Sequence, residues 1–399
     1  MLEKTQKTRI YLDHNATTPV GSDILSKIVE VADIWGNPSS IHWAGRGPKA
    51  LIRESRQHLA SALSVSPLEL IFTSGGSEAN ATVIRSIFDE IEKTSSPRFG
   101  RNEFVTTQIE HPSVLKAFQW IEERGAKVTY LTVDRDGNLN LELYEKVISE
   151  KTALVSIMYA NNETGVVFPI QKLAKIAHER GALFHSDCVQ ALGKVSLNLA
   201  KMGIDYASFS GHKVYSLKGT GFLYARKNCP IEPLIFGSHE RHRRGGTENT
   251  LGIWSLGVMA QKLSTVSEIY PRITLLRDQM EEQIQKTISG VKITSKSAHR
   301  LPNTSSMVIE GVDGETLLMS LDMKGIAVST GAACSSGSPE PSPVLLAIGL
   351  SRQEAQSSLR VSLGWKTTPE EIQTFIDILS QVVQRLRTLE QTQKELDHV

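Results

Sequence analysis

Cysteine is scarce in this chain. Its 399 residues hold three, Cys188, Cys229 and Cys334, widely spaced and with no C-x-x-C pair. An odd, scattered set excludes a disulfide framework and a structural zinc cluster. Long apolar runs are missing too, and none reaches the roughly 20 residues that a membrane-spanning helix needs. The stretch from Met1 to Asn15 lacks the apolar core of a secretion signal. Neither sign of charge is in excess, with 44 basic and 43 acidic residues. Nothing global therefore points to nucleic acid or to a membrane surface. Internal repeats are absent. What remains is an ordinary globular composition, expected in the cytoplasm and long enough for two domains at roughly 100–200 residues each. Three glycosylation patterns, at Asn15, Asn80 and Asn162, are read as chance.

What is present is alternation. Ile10-Tyr-Leu12 is a short apolar run in an extended arm. Helical spacing follows over 22–34 and 46–63, with Gly36-Asn-Pro-Ser-Ser40 as a loop between them. Leu70-Ile-Phe-Thr73 reads as a strand, Gly75-Gly76 as a turn, and the residues to about Lys93 as a helix. Strands are expected at 103–107, 127–132, 153–158, 183–186, 206–210 and 221–225, and helices at 112–124, 141–149 and 170–180. Such alternation implies an α/β fold with a mostly parallel sheet covered on both faces. Ligands on such sheets collect at the carboxyl ends of the strands. Around residue 260 the pattern changes to a long helix over about 263–288 and shorter mixed elements, ending in a helix from about 368 to 393. This reads as a smaller α+β domain. The expected division is 16–262 for the large domain, with 1–15 and 263–399 forming the small one.

The strand ends carry chemistry. Lys213 follows the apolar run Tyr206-Ala-Ser-Phe-Ser210, and a lysine held there suits a bond to the aldehyde of pyridoxal phosphate. That cofactor also needs a carboxylate, a partner for its phenolic oxygen, a flat group over its ring and a phosphate cradle. Asp187 ends the run Ala182-Leu-Phe-His-Ser-Asp and can hold the ring nitrogen protonated; most aspartates so placed are caps or turn residues. Gln190 can donate to the phenolic oxygen, though a surface glutamine is the plainer account. His111 can stack on the ring or relay a proton, against a bland loop histidine. Gly76 and Ser77 open a helix whose free N–H groups suit a phosphate, or form a plain corner capped by Ser77. Ser210 and His212 can add donors. Arg241, Arg243, Arg244 and Thr247 lie in a loop suited to phosphate or carboxylate, or simply to solvent.

Cys334 sits in Ser329-Thr-Gly-Ala-Ala-Cys-Ser-Ser-Gly-Ser-Pro-Glu-Pro-Ser-Pro343, nearly all small residues and proline. Such a stretch has little to bury and is expected to be mobile. A thiol there is accessible, which is one requirement for reactivity; the other is a lowered pKa. Seven extended residues on either side reach at most roughly 25 Å. Cys188 and Cys229 read as packing residues.

These motifs together resemble the pyridoxal-phosphate-dependent cysteine desulfurases of the NifS/IscS type, in the class V aminotransferase group. The matching segments are Tyr11-Leu-Asp-His-Asn-Ala-Thr-Thr18, Gly36-Asn-Pro-Ser-Ser-Ile-His42, Thr73-Ser-Gly-Gly-Ser-Glu78, Glu110-His-Pro-Ser-Val114, Ala160-Asn-Asn-Glu-Thr-Gly-Val166, Ser210-Gly-His-Lys213, Arg244-Gly-Gly-Thr-Glu-Asn249 and the long cysteine loop. The resemblance implies the type I fold of pyridoxal-phosphate transferases, with a seven-stranded sheet. It implies that Lys213 bonds the cofactor, Asp187 pairs with its ring nitrogen and His111 stacks on the ring. Gln190 and Asn162 would serve the phenolic oxygen and the substrate. Gly76, Ser77, Ser210 and His212 would hold phosphate, and Thr247 would reach the phosphate of a second copy in a homodimer. Arg360 would clamp the carboxylate of L-cysteine. Cys334 would carry sulfur as a persulfide to an acceptor protein of iron–sulfur assembly or tRNA thiolation. No protein-held metal is implied beyond a transient iron–sulfur contact at Cys334, and no direct nucleic-acid binding. The chain departs from the family pattern at Ser216-Leu217, at His242 and Arg243, and at Cys188. The rival readings are another class V enzyme, such as a selenocysteine lyase or an aminotransferase, and a non-catalytic sulfur-carrier scaffold.

Overall fold

A computed structural model describes residues 9–330 and 340–397. The side chains of Val266 and of residues 393–397 are outside that description, as is the whole of 331–339, where Cys334 falls. The chain opens on β1 (Ile10–Tyr11). It then lays down β2 (Leu70–Thr73), β3 (Glu103–Thr107), β4 (Lys127–Leu131), β5 (Thr152–Ser156), β6 (Leu183–Asp187), β7 (Tyr206–Ser210) and β8 (Gly221–Ala225). These seven form one sheet in the order β2-β8-β7-β6-β5-β3-β4. The pairs along β7-β6-β5-β3-β4 are parallel, and β8 runs antiparallel to both β7 and β2.

Burial explains the sequence pattern. Every residue of β5, β6, β7 and β8 is buried, so those strands read as apolar and small-residue runs without alternation. At the edge, β4 buries only Leu131 fully and exposes Lys127 and Thr129. A charged, alternating edge discourages pairing with other chains.

The second sheet is antiparallel, β12 (Ser358–Ser362) beside β10 (Thr304–Ile309) beside β9 (Val291–Ile293), and β1 pairs in parallel with β11 (Ile326–Ala327). The helices Val266–Thr287, Gly314–Met323 and Pro369–Asp397 pack over it. Its core joins Ile10 and Leu12 from one end of the chain to Ile273, Met280, Leu317, Val361 and Phe375 from the other. Among the described residues, no helix is long and apolar enough to cross a membrane.

Two helices differ from the sequence pattern. The segment 22–34 splits into Ser22–Leu25 and Ile28–Ala32. Lys27 donates to Ile24 O rather than one residue further back, tightening the turn, and β-branched Ile28, Val29 and Val31 follow it. The helix Trp43–Leu63 starts three residues before the expected Arg46 and carries Pro48 inside. Pro48 has no N–H for the carbonyl of Ala44. Gly36 packs against that carbonyl so closely that a Cβ there would lie 1.9 Å from it.

One helix gave no periodic signal at all. Thr250–Ala260 is buried at eight positions, including Ile253, Trp254, Leu256 and Met259, and packs against Trp43–Leu63. A helix buried all round has no polar face, so the amphipathic pattern is absent.

Candidate active site

The strand order places the carboxyl ends of β5, β6 and β7 side by side, and a cavity of about 280 Å3 opens there. Its wall includes Gly76, Ser77, His111, Asn162, Asp187, Gln190, Ser210, His212, Lys213 and Arg360. Thr247 is exposed on a loop outside it. Cys334 lies outside the described residues.

Lys213 closes the short 3-10 turn after β7. Its Nζ donates to the main-chain oxygens of Asn15 and Ala16, each at 2.7 Å. Burial, then the charge of Arg360, pull its pKa down to about 8; Asp13 and Asp187 oppose the shift. The amine is thereby brought toward its nucleophilic form near neutral pH.

Asp187 ends β6. Its carboxylate accepts from Asn80 Nδ2 at 2.7 Å and from the Val189 N–H at 3.0 Å. Asn80 also donates to Ser113 Oγ at 3.0 Å. His111 caps the helix Pro112–Glu122, its Nδ1 accepting from the Ser113 N–H at 3.1 Å. The neutral ring therefore carries its proton on Nε2. Burial holds His111 below the usual imidazole range; Asp187 opposes this and Lys213 adds to it.

The helix Gly76–Ile91 begins at the cavity without a side-chain cap. A Cβ at Gly76 would meet Val189 Cγ2 at 2.6 Å, so the backbone here sits close to the floor of the site. Ser210 lies at the end of β7. His212 shares a hydrogen bond with Thr17 Oγ1 at 3.2 Å, and burial, then Lys213, lower its pKa to about 4. It is a neutral group at working pH.

Arg360 reaches in from β12. Nη1 donates to Asn162 O at 3.2 Å and Nη2 to Asp13 Oδ1 at 2.9 Å, while its buried Nε has no partner among the described residues. Gln190 donates through Nε2 to Asn15 O at 3.0 Å.

A family model described as aminotransferase class V matches residues 10–375. The chain belongs to the class V aminotransferase family. Its relatives within the family include cysteine desulfurases. One from Nostoc sp. (strain PCC 7120 / SAG 25.82 / UTEX 2576) is 42% identical over 384 residues, 95% of this chain and 94% of the relative. A cysteine desulfurase IscS from Dictyoglomus turgidum (strain DSM 6724 / Z-1310) is 38% identical, covering 98% of each chain. Among solved structures, a NifS-like protein superposes with a TM-score of 0.87 at 35% identity, covering 94% of this chain and 100% of that one. A structure of SspA in complex with cysteine gives 0.77 at 32% identity, over 89% and 99%. The group works with pyridoxal 5′-phosphate. The wall here fits that cofactor: an amine, a carboxylate, an imidazole and an uncapped helix start all face one cavity.

Several residues of the wall were not singled out in the sequence. Asn15, Asn80, Ser113, Met158 and Val189 are among them. Asn15, Asn80 and Asn162, whose match to the glycosylation pattern is chance, all line the cavity. Asn15 and Asn80 are each 1% exposed. Arg244 and Arg243 of the arginine loop turn to the chain itself. Arg244 forks onto Glu78 at 2.9 and 3.2 Å, and Arg243 donates to Leu68 O at 3.0 Å. The departures from the family pattern are absorbed locally. Ser216 Oγ lies 2.6 Å from Ser255 Oγ, and Leu217 packs beside Ile24 and Trp254. His242 follows Glu240 and Arg241 in three successive left-handed residues, at φ 65°, 48° and 60° respectively. Cys188 is buried, and burial pushes its thiol far up, away from reactivity. Burial, aided by Asp205, also raises Cys229, to about 11.

Proposed function

We propose that this protein converts L-cysteine to L-alanine with pyridoxal 5′-phosphate, holding the sulfur on Cys334 and passing it to an acceptor protein. The observation that best supports this is the shared cavity of Lys213, Asp187, His111 and Arg360. Bound there, the cofactor supplies a sink for the electron pair left when the substrate's Cα–H bond breaks.

The chain's own residues have distinct tasks. Asp187, fixed by Asn80 and Val189, keeps the ring nitrogen protonated. His111 covers the ring face. Gln190 and Asn162 serve the phenolic-oxygen side and the substrate, and Gly76, Ser77, Ser210 and His212 hold the phosphate. Arg360 binds the substrate carboxylate in place of Asp13, a forked contact that suits a guanidinium. Lys213, once released from the cofactor, takes the Cα proton and later returns a proton to carbon. Cys334 acts as thiolate on the substrate sulfur. The Cβ–S bond breaks with its electrons staying on carbon, a sulfur–sulfur bond forms, and protonation of the carbon gives alanine.

We further propose a homodimer. The residues Trp35, Ile41, Trp43 and Phe236 are 75%, 92%, 76% and 80% exposed. Ser39 Oγ lies 3.2 Å from His239 Nε2, so the two loops that carry them adjoin. A second copy of this chain would cover that apolar ground, and Thr247 on the same loop would serve its phosphate. A sulfur-bearing thiol needs a reducing compartment, which favours the cytoplasm. The test is incubation with L-cysteine and a reductant. Equal yields of alanine and sulfide support the reading; sulfide accompanied by pyruvate and ammonia in place of alanine overturns it.

A further inference from the structure

A second buried lysine lies behind the cavity. Lys194 is 4% exposed, and burial, with Lys213 and Arg360 adding repulsion, holds it well below the ordinary lysine range. Its Nζ donates to Asn15 Oδ1 at 2.7 Å and to Gln190 Oε1. Neither partner is a carboxylate. Burying an amine without one is costly, so its neighbours show what it does.

An amine that points at two carboxamides settles which way round they sit. Charged or neutral, the lysine head has hydrogens for both contacts, and it donates to an amide oxygen at each. At Gln190 this turns Nε2 away from Lys194. One Nε2 hydrogen goes to Asn15 O at 3.0 Å, and the other remains for the cavity. At Asn15, Oδ1 accepts from Lys194 and from Asn303 Nδ2 at 3.1 Å. Asn15 Nδ2 is thereby turned to Asn162 O at 3.1 Å and Thr304 Oγ1 at 2.9 Å. Asn15 O in turn accepts from Lys213 Nζ.

We propose that Lys194 is a positioning residue that fixes the Gln190 carboxamide with its N–H toward the cofactor's phenolic oxygen. This rests on the role given to Gln190 above. Without Lys194 only the contact to Asn15 O holds the carboxamide this way round, and an oxygen facing the phenolic oxygen repels where an N–H attracts.

The readout is the pH midpoint of the visible absorbance of the lysine-bound cofactor in the holoenzyme. An N–H donated to the phenolic oxygen stabilises its anion and lowers that midpoint. Gln190→Met is expected to raise it, and so is Lys194→Met, each by about one pH unit for a lost hydrogen bond. The double variant should shift no further than Gln190→Met alone, because Lys194 acts through Gln190. A lysine that only braced the fold would lower the thermal midpoint of unfolding and leave the absorbance titration in place. If Lys194→Met does not yield holoenzyme, Lys194→Gln, which keeps one donor in a shorter side chain, is measured instead. It should move the midpoint by less than Gln190→Met does. A silent Gln190→Met overturns the role of Gln190. A shift for Gln190→Met with none for the Lys194 variant, or additive shifts in the double variant, overturns the role of Lys194.

Discussion

Lys213 should become nucleophilic more than two pH units below an ordinary lysine. Its pKa is drawn from 10.5 to about 8 by burial first and by Arg360 second. At pH 7.5 about a quarter of the molecules then carry the free amine, against about one in a thousand for an ordinary lysine. The gain is roughly 200-fold in reactive amine, or about 3 kcal/mol. Stripped of cofactor, the protein can be mixed with pyridoxal phosphate across pH 6.5 to 10, and the rise of visible absorbance timed. The rate should climb with pH, reach half its maximum near 8 and level off above. Arg360→Gln removes a repelling charge and releases the Asp13 carboxylate, so its midpoint should move upward. A wild-type rate that keeps rising tenfold per unit to pH 10 would show that the cavity does not depress Lys213, and the electrostatic reasoning would be wrong.

Four other outcomes follow from the same geometry. Cys334→Ala should take up cofactor and bind L-cysteine with the same spectral change as the parent, yet release no sulfide; normal sulfide release removes Cys334 from the mechanism. Asp187→Asn should retain the Asn80 contact and still lose at least roughly a hundredfold in turnover, since a neutral amide cannot hold the ring nitrogen protonated. Gly76→Ala places a methyl 2.6 Å from Val189 Cγ2, and should weaken cofactor binding in an equilibrium dialysis assay while the unfolding midpoint of the cofactor-free protein moves little. Glu163 is buried, and burial lifts it to about 7 from 4.5, so the folded chain holds a proton there that the unfolded chain has released. Its contribution to stability is full below about 4.5, falls as pH climbs to 7 and is lost above it; Glu163→Gln should flatten the decline of thermal stability between about pH 4.5 and 7.

The seven large-sheet strands were legible because their runs are short and bounded by turn residues, as at Thr73-Ser-Gly-Gly76. Lys213, Asp187 and His111 were legible because each stands just past such a run. Asn15, Asn80 and Lys194 were not. Asn15 meets Thr304 and Lys194 across 289 and 179 positions, and nothing local marks a side chain whose partners are so distant. Lys194 also looks like any solvated lysine until its burial is known. The helix Thr250–Ala260 was invisible for the opposite reason, since complete burial erased the periodicity by which helices are recognised. The helix Trp43–Leu63 starts three residues ahead of the expected Arg46, and the hydrogen bond that Pro48 cannot make lies where Gly36 packs on the Ala44 carbonyl.

The central claim is that one amine, Lys213, holds the cofactor in this cavity, and covalent trapping tests it most directly. Borohydride reduction of the holoenzyme, followed by peptide mass spectrometry, should place the pyridoxyl group on Lys213 alone. A label on Lys194, the other buried lysine beside the site, or a colourless protein that takes up no cofactor, would contradict the account.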